Sequence, residues 1–163
     1  MKYAVAFWAG IVAIAMFLFP VSAIAGSSSL IRAYDDEIVM GKDFTGQVLQ
    51  EAEFSNTNLD SANFSSVDLR GAVFNGCSLI EANLHGADFS NGIAYLSDFK
   101  NADLTDAIFT EAMLLRSLFN DAEITGADFS FAILDRLQQK QLCERASGVN
   151  SITGIPTKAS LGC

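Results

Sequence analysis

The stretch Ala62-Asn63-Phe64-Ser65-Ser66-Val67-Asp68-Leu69-Arg70-Gly71-Ala72-Val73-Phe74-Asn75-Gly76 sets a large apolar residue at every fifth position. Followed outward in both directions, the register holds from Lys42 to Arg136, 19 consecutive units of five residues. The large residue, the centre of each unit, is Phe nine times and Leu eight times, with Ile124 and Ala94 completing the series. Two residues before each centre stands a small one. Eleven of these are Ala, and Thr57, Val67, Cys77, Gly92, Ser97 and Ser117 hold the same place; only Lys42 and Gln47 break the rule. The residue just before the centre is usually Asp, Asn or Glu.

A period of five fits neither common secondary structure. Five residues turn an α-helix by about 140°, which would wind the centres around every face. A strand alternates faces at each residue, so an odd period sends successive centres to opposite sides. All centres share one interior only if the chain turns once per unit. The sequence therefore predicts an all-β solenoid in which each unit is one side of a coil, with coils stacked at the strand spacing of about 4.8 Å.

Units such as Ala62-Asn63-Phe64-Ser65-Ser66, Ala87-Asp88-Phe89-Ser90-Asn91 and Ala102-Asp103-Leu104-Thr105-Asp106 closely resemble those of the pentapeptide-repeat proteins. The resemblance implies a right-handed quadrilateral β-helix with four units per coil, hence about five coils. Centres taken every 20 residues then stack as Phe44, Phe64, Leu84, Leu104, Ile124 on the first side and Leu49, Leu69, Phe89, Phe109, Phe129 on the second. The third side carries Phe54, Phe74, Ala94, Leu114, Leu134, and the fourth Leu59, Leu79, Phe99, Phe119. Phe occupies one opposed pair of sides up to Leu79 and the other pair after it. Close packing penalises a coil with four rings as well as a coil with none. Ala94, just past the exchange, is expected to make room for Phe89 and Phe99.

A stack of coils leaves apolar cross-sections and strand edges at both ends, so caps are expected. At the N-terminal side, residues 26–41 offer Ser27, Ser28 and Ser29 as helix starts, and a short helix or an extra strand would serve. At the other end, 137–163 reads as a capping helix followed by a loop. Leu137, Leu142, Cys143 and Ala146 are placed to share the helix's inner face.

The first 25 residues read as a secretory signal peptide. Lys2 precedes an apolar run from Ala4 to Phe19, then Pro20, then Ala23-Ile24-Ala25, which predicts cleavage between Ala25 and Gly26. The run is shorter than the roughly 20 residues a bilayer needs, so no stable membrane insertion is expected after cleavage. The absence of an Arg pair favours Sec export. Outside the cytoplasm disulfides persist, and Cys143 and Cys163 both lie beyond the repeats, so a disulfide between them is predicted. Cys77 sits at an inward small position and reads as a buried free thiol. Two alternatives stay open: Cys77 as the pairing or redox thiol, and a redox-active Cys143/Cys163 pair. The tail Cys143-Glu144-Arg145-Ala146-Ser147-Gly148, with Thr153-Gly154 and Ser160-Leu161-Gly162-Cys163, resembles the thylakoid-lumen group of the family, as does Gly92-Ile93-Ala94-Tyr95-Leu96. That implies a lumen location, with the periplasm as the alternative, and a cyanobacterial origin rather than a nuclear-encoded plant precursor.

The charge of -9 on 163 residues argues against binding a nucleic acid backbone. With a single His, and no phosphate loop, zinc spacing or nucleophile elbow, the sequence predicts no enzyme, no metal and no cofactor. Acidic ladders such as Asp68 with Asp88, and Asp103 with Glu123, read as solvated faces whose carboxylates bond the turn backbone. One outward feature departs from polarity. On the third side Val73, Ile93, Met113 and Ile133 precede the centres, Tyr95 and Leu115 follow them, and Leu96 stands at the corner. Such a stripe marks a partner surface, unless a terminal segment covers it. The leading reading is a non-catalytic scaffold for an unidentified protein partner. The alternatives are a redox-regulated lumen protein using Cys143 and Cys163, and a DNA mimic if the protein is cytoplasmic.

Overall fold

A computed structural model describes residues 33–35 and 39–163. The segment before them, with the predicted cleavage point at Ala25 and Gly26, lies outside the described residues. The chain coils with a repeat of 20 residues. Parallel bridges join Asp43 to Asn63, Asn63 to Asn83, Asn83 to Asp103 and Asp103 to Glu123, and the other sides carry equivalent ladders. On the third side the bridges widen into short strands, β1 (Ala33–Asp35), β2 (Glu53–Ser55), β3 (Val73–Asn75) and β4 (Ile93–Tyr95), paired in parallel in that order. Ala33 pairs with Glu53, so this ladder reaches back beyond Lys42 and takes the form of an extra strand. Val39, five residues before Phe44, is buried, and its N–H donates to Asn58 O at 3.1 Å.

The turn demanded by the period is visible in the backbone. At most corners the N–H of the small residue donates to the carbonyl of the preceding centre, as from Ala62 to Leu59 at 3.0 Å and from Ala87 to Leu84 at 3.0 Å. The third residue of each such turn has positive φ, for example Ser61 at 56° and Gly71 at 69°. This is the type II turn, whose third position is left-handed. The side chain before the centre steadies the turn in turn: Asp88 Oδ1 accepts from Ser90 N at 3.0 Å, and Asn63, Asp98, Asp103 and Asp128 repeat the contact. The carboxylate ladders are therefore Asx motifs.

The corners that follow β2, β3 and β4 are different. The small residues there are Thr57, Cys77 and Ser97, and none donates its N–H to the preceding centre. An open turn leaves a carbonyl and an N–H inside the coil. The next coil fills the gap. Ser97 Oγ donates to Phe74 O at 3.0 Å and accepts from Cys77 N at 3.2 Å, and Ser117 Oγ donates to Ala94 O at 2.7 Å and accepts from Ser97 N at 3.0 Å. Cys77 Sγ plays the same part toward Phe54 O at 3.3 Å. Ala at these positions would strand both groups, which explains why polar side chains hold this one column.

The centres fill the axis. Phe44 stacks on Phe64 with centroids 4.5 Å apart, and Phe54 meets Phe64 edge-on. Higher up, Phe99 stacks on Phe119 and Phe109 on Phe129, each pair at 5.2 Å. Phe74 and Phe89 join the two arrangements, nearly parallel at 5.2 Å. A Cβ at Gly92 would fall 2.4 Å from the Phe89 ring, so glycine is what seats that ring.

The C-terminal end is closed by α1 (Arg136–Arg145) and the short α2 (Thr157–Ser160). Asp135 caps α1 in a reciprocal capping box with Gln138. That box sets the rotation of the helix, and it corrects the expected inner face: Gln138 is buried and Leu137 is 64% exposed. Leu142, Ala146 and Leu161 cover the apolar cross-section. Polar side chains meet the open backbone. Gln138 Nε2 donates to Leu114 O and Ser117 O, at 2.8 and 2.7 Å. Arg145 donates to Ala122 O and Phe119 O, and Asn150 Nδ2 to Gly126 O. Ser160 Oγ accepts from Phe129 N at 2.9 Å. Cys143 and Cys163 are joined by a disulfide across 20 residues, with Cα atoms 5.7 Å apart.

Candidate interaction faces

The ladder of the third side brings the stripe together. Val73 pairs with Ile93, Ile93 with Met113 and Met113 with Ile133, which sets their side chains in one outward row. Ile93, Met113 and Ile133 are exposed, at 37%, 36% and 48%, and Val73 is half-buried. Tyr95 and Leu115 flank the row, both half-buried, and Leu96 stands exposed at the corner with φ 56°. Leu118 extends the apolar surface around that corner and is exposed as well. Arg116 reaches over Tyr95, its guanidinium 5.9 Å from the ring centre and 3.2 Å from the hydroxyl. The apolar row thus has a cation on its border.

The second side is built for solvent. Arg70 sits 2.7 Å from Asp68 and 3.9 Å from Asp88, between two rungs of the acidic ladder. The hydrogen bond from the Arg70 side chain, with help from Gln50, holds the Asp68 carboxyl down at about 2, against the opposing effect of its burial. His85 Nδ1 meets Thr105 Oγ1 at 2.7 Å across coils. Among the described residues no group of three His, Cys, Asp or Glu side chains is placed to hold a metal ion. Cys77 is a buried free thiol, and burial pushes its pKa up, which disfavours the thiolate. Cys163 is exposed and Cys143 half-buried, so the disulfide lies at the surface.

Sequence reasoning placed the stripe but missed the end groups. Gln138, Arg145 and Asn150 are single polar residues with no repeat to mark them. The polar column did carry a signal: Thr57, Cys77, Ser97 and Ser117 are spaced by 20, one coil apart.

Residues 43–76, 57–93 and 97–136 match the sequence profile of the pentapeptide repeats, described as eight copies. The crystal structure of a pentapeptide-repeat protein from the Arabidopsis thaliana thylakoid lumen superposes with a TM-score of 0.76 at 36% identity, over 79% of this chain and 88% of that one. The thylakoid lumenal protein TL20.3, chloroplastic, of Arabidopsis thaliana is 54% identical over 41 residues. That match takes in 25% of this chain and spans only 15% of the relative's length. Proteins with these repeats fold as right-handed quadrilateral β-helices.

Proposed function

This chain belongs to the pentapeptide-repeat family, and we propose that it acts as a non-catalytic scaffold of the thylakoid lumen whose third side docks another protein. The observation that carries this reading is the row Ile93, Met113 and Ile133, exposed and held in register on the third side. A monomer that buries its centres this completely has no folding reason to set apolar side chains in register on the outside. The rigid ladder beneath them fixes their spacing, so a partner meets a preformed surface and little ordering entropy is lost on docking. Arg116 over Tyr95 gives the surface an aromatic and cationic anchor of the kind that dominates interface energetics.

The location rests on the lumen relatives and on the signal-like leader. Sec export with cleavage between Ala25 and Gly26 would deliver the protein to the lumen, or to the periplasm if the signal is read there. Affinity capture from native membranes and lumen, with a photocrosslinker at Tyr95, tests the reading. Replacing Ile93 and Met113 together by Ser should abolish capture while leaving the unfolding transition in place; equal capture by that double variant would refute the docking face.

A further inference from the structure

On the first, second and fourth sides of the last coil the caps meet one of the two open groups, leaving Phe119 N–H, Ile124 N–H and Ala127 C=O without a partner among the described residues, and on the third side they meet neither. Gln138 serves the corner at Leu114 and Ser117, and Arg145 the carbonyls of Phe119 and Ala122. Gly126 has both groups met, its N–H by Ser147 O and its carbonyl by Asn150, and Phe129 N–H is taken by Ser160 Oγ. The final rung of the third side has no such cover. Leu134 N–H, Ala132 C=O and Phe131 N–H carry no partner among the described residues.

The lower rungs show what those groups are spaced to receive. Ile133 brackets Met113 with two bonds, donating its N–H to Ala112 O at 2.8 Å and accepting from Leu114 N at 2.9 Å. One rung up, Ala132 O and Leu134 N–H form the identical bracket around Ile133, and it is empty. Beside them runs a groove of about 380 Å³ walled by Phe131, Leu134, Ile155 and Leu161. Phe131 is 83% exposed and stands at a corner with φ 58°. The corner is the left-handed position shared by the other turns, and what sets it apart is a large exposed ring on the wall of the groove. The C-terminal segment that walls the groove is basic in a chain of net charge -9: from Asp135 to Cys163 stand Arg136, Lys140, Arg145 and Lys158 against Asp135 and Glu144. Lys140 and Lys158, each exposed, adjoin the groove residues Gln139 and Ala159.

We propose that the open bracket at Ala132 and Leu134 is a peptide-binding site, which takes an extended, acidic segment of a partner protein as one more parallel strand. The backbone bonds supply the register, and side chains on one face of the added strand enter the apolar groove. Acidic side chains on the other face meet Lys140 and Lys158. The site lies at the end of the prism, on the rung of Ile133, the last member of the side row.

The test uses the full mature chain and a fluorescent peptide of about eight residues with alternating Asp and Val, which puts Val on one face of a strand. Saturable binding by fluorescence anisotropy is expected. Leu134→Pro removes the unpartnered N–H and should weaken binding roughly tenfold. Should that variant fail to fold, Phe131→Asn decides: Asn tolerates the left-handed corner, so the protein should melt higher while binding falls. An alternating Lys and Val peptide should bind more weakly. No saturable binding of the acidic peptide, or binding untouched in both variants, or equal binding of the basic peptide, would overturn the proposal. A concentration-dependent dimer in sedimentation that Leu134→Pro dissociates would overturn it too, since a second copy would then occupy the edge.

Discussion

Gln138 Nε2 lies 2.8 Å from the carbonyl oxygen of Leu114, where the side chain of a further repeat would otherwise stand. Its amide oxygen accepts from Asp135 N at 2.7 Å, so one residue both starts the helix and ends the solenoid. Gln138→Ala strands the Ser117 carbonyl and an N-cap donor, and leaves Leu114 O with only the 3.3 Å bond from Ser117 N. It should cost about 1–3 kcal/mol, seen as a lower thermal midpoint. Gln138→Glu keeps the acceptor and loses the donor, and should also fall below wild type. A wild-type melt for both would contradict the capping role.

The inner column gives opposite signs at two of its members. Cys77→Ser puts a stronger donor against Phe54 O and should leave stability unchanged or raised. Ser97→Ala removes the hydroxyl that bonds both Phe74 O and Cys77 N, and should cost about 1–3 kcal/mol. Denaturant titration of the two variants, compared at equal slope, checks the pair.

The disulfide closes a loop spanning 20 residues. Cys163→Ser, or reduction, should lower stability by about 3 kcal/mol. The loss should be local: hydrogen exchange is expected to rise in α1 and α2 first, while amides of the central coils keep their protection. Uniform deprotection of all coils would show that the cap and the solenoid are a single cooperative unit.

Asp68 carries the pH dependence that can be assigned. Its folded pKa of about 2 lies below the usual carboxylate value because the Arg70 side chain donates to it. A depressed carboxylate contributes stability that is complete above its unfolded pKa of about 3.9 and lost as pH falls through the folded value. The window is therefore from about pH 4 down to about 2. The pair is well exposed, so screening keeps the effect small. Arg70→Ala should raise the Asp68 titration midpoint measured by carboxyl NMR and flatten the acid limb; an unmoved midpoint would exclude Arg70 as the cause.

Ala94 and Gly92 guard the exchange of Phe between sides. Ala94→Phe adds a ring above Phe74 in a filled interior and should cost about 1–3 kcal/mol. Gly92→Ala drives a methyl into the Phe89 ring and should also destabilise. Retention of full stability by Ala94→Phe in a thermal scan would show spare volume at that level.

The coil was legible because its cause is periodic: a bulky residue at every fifth position admits one interior, and Phe44 through Phe129 all lie there buried. The outward stripe followed from the same arithmetic. The end was less legible. Helical spacing alone put Leu137 inward, but hydrogen bonding by Asp135 fixed the helix phase and turned Gln138 in instead. The column of Thr57, Cys77, Ser97 and Ser117 read as merely small, since an open turn is a backbone event that no single residue announces.

Latching α1 to Cys163 makes the two ends of the prism unequal. Each coil is bonded only to its neighbours, so a stack of this kind frays from whichever extremity is loosest. With Cys143 tied to Cys163, fraying is expected to reach the latched end last.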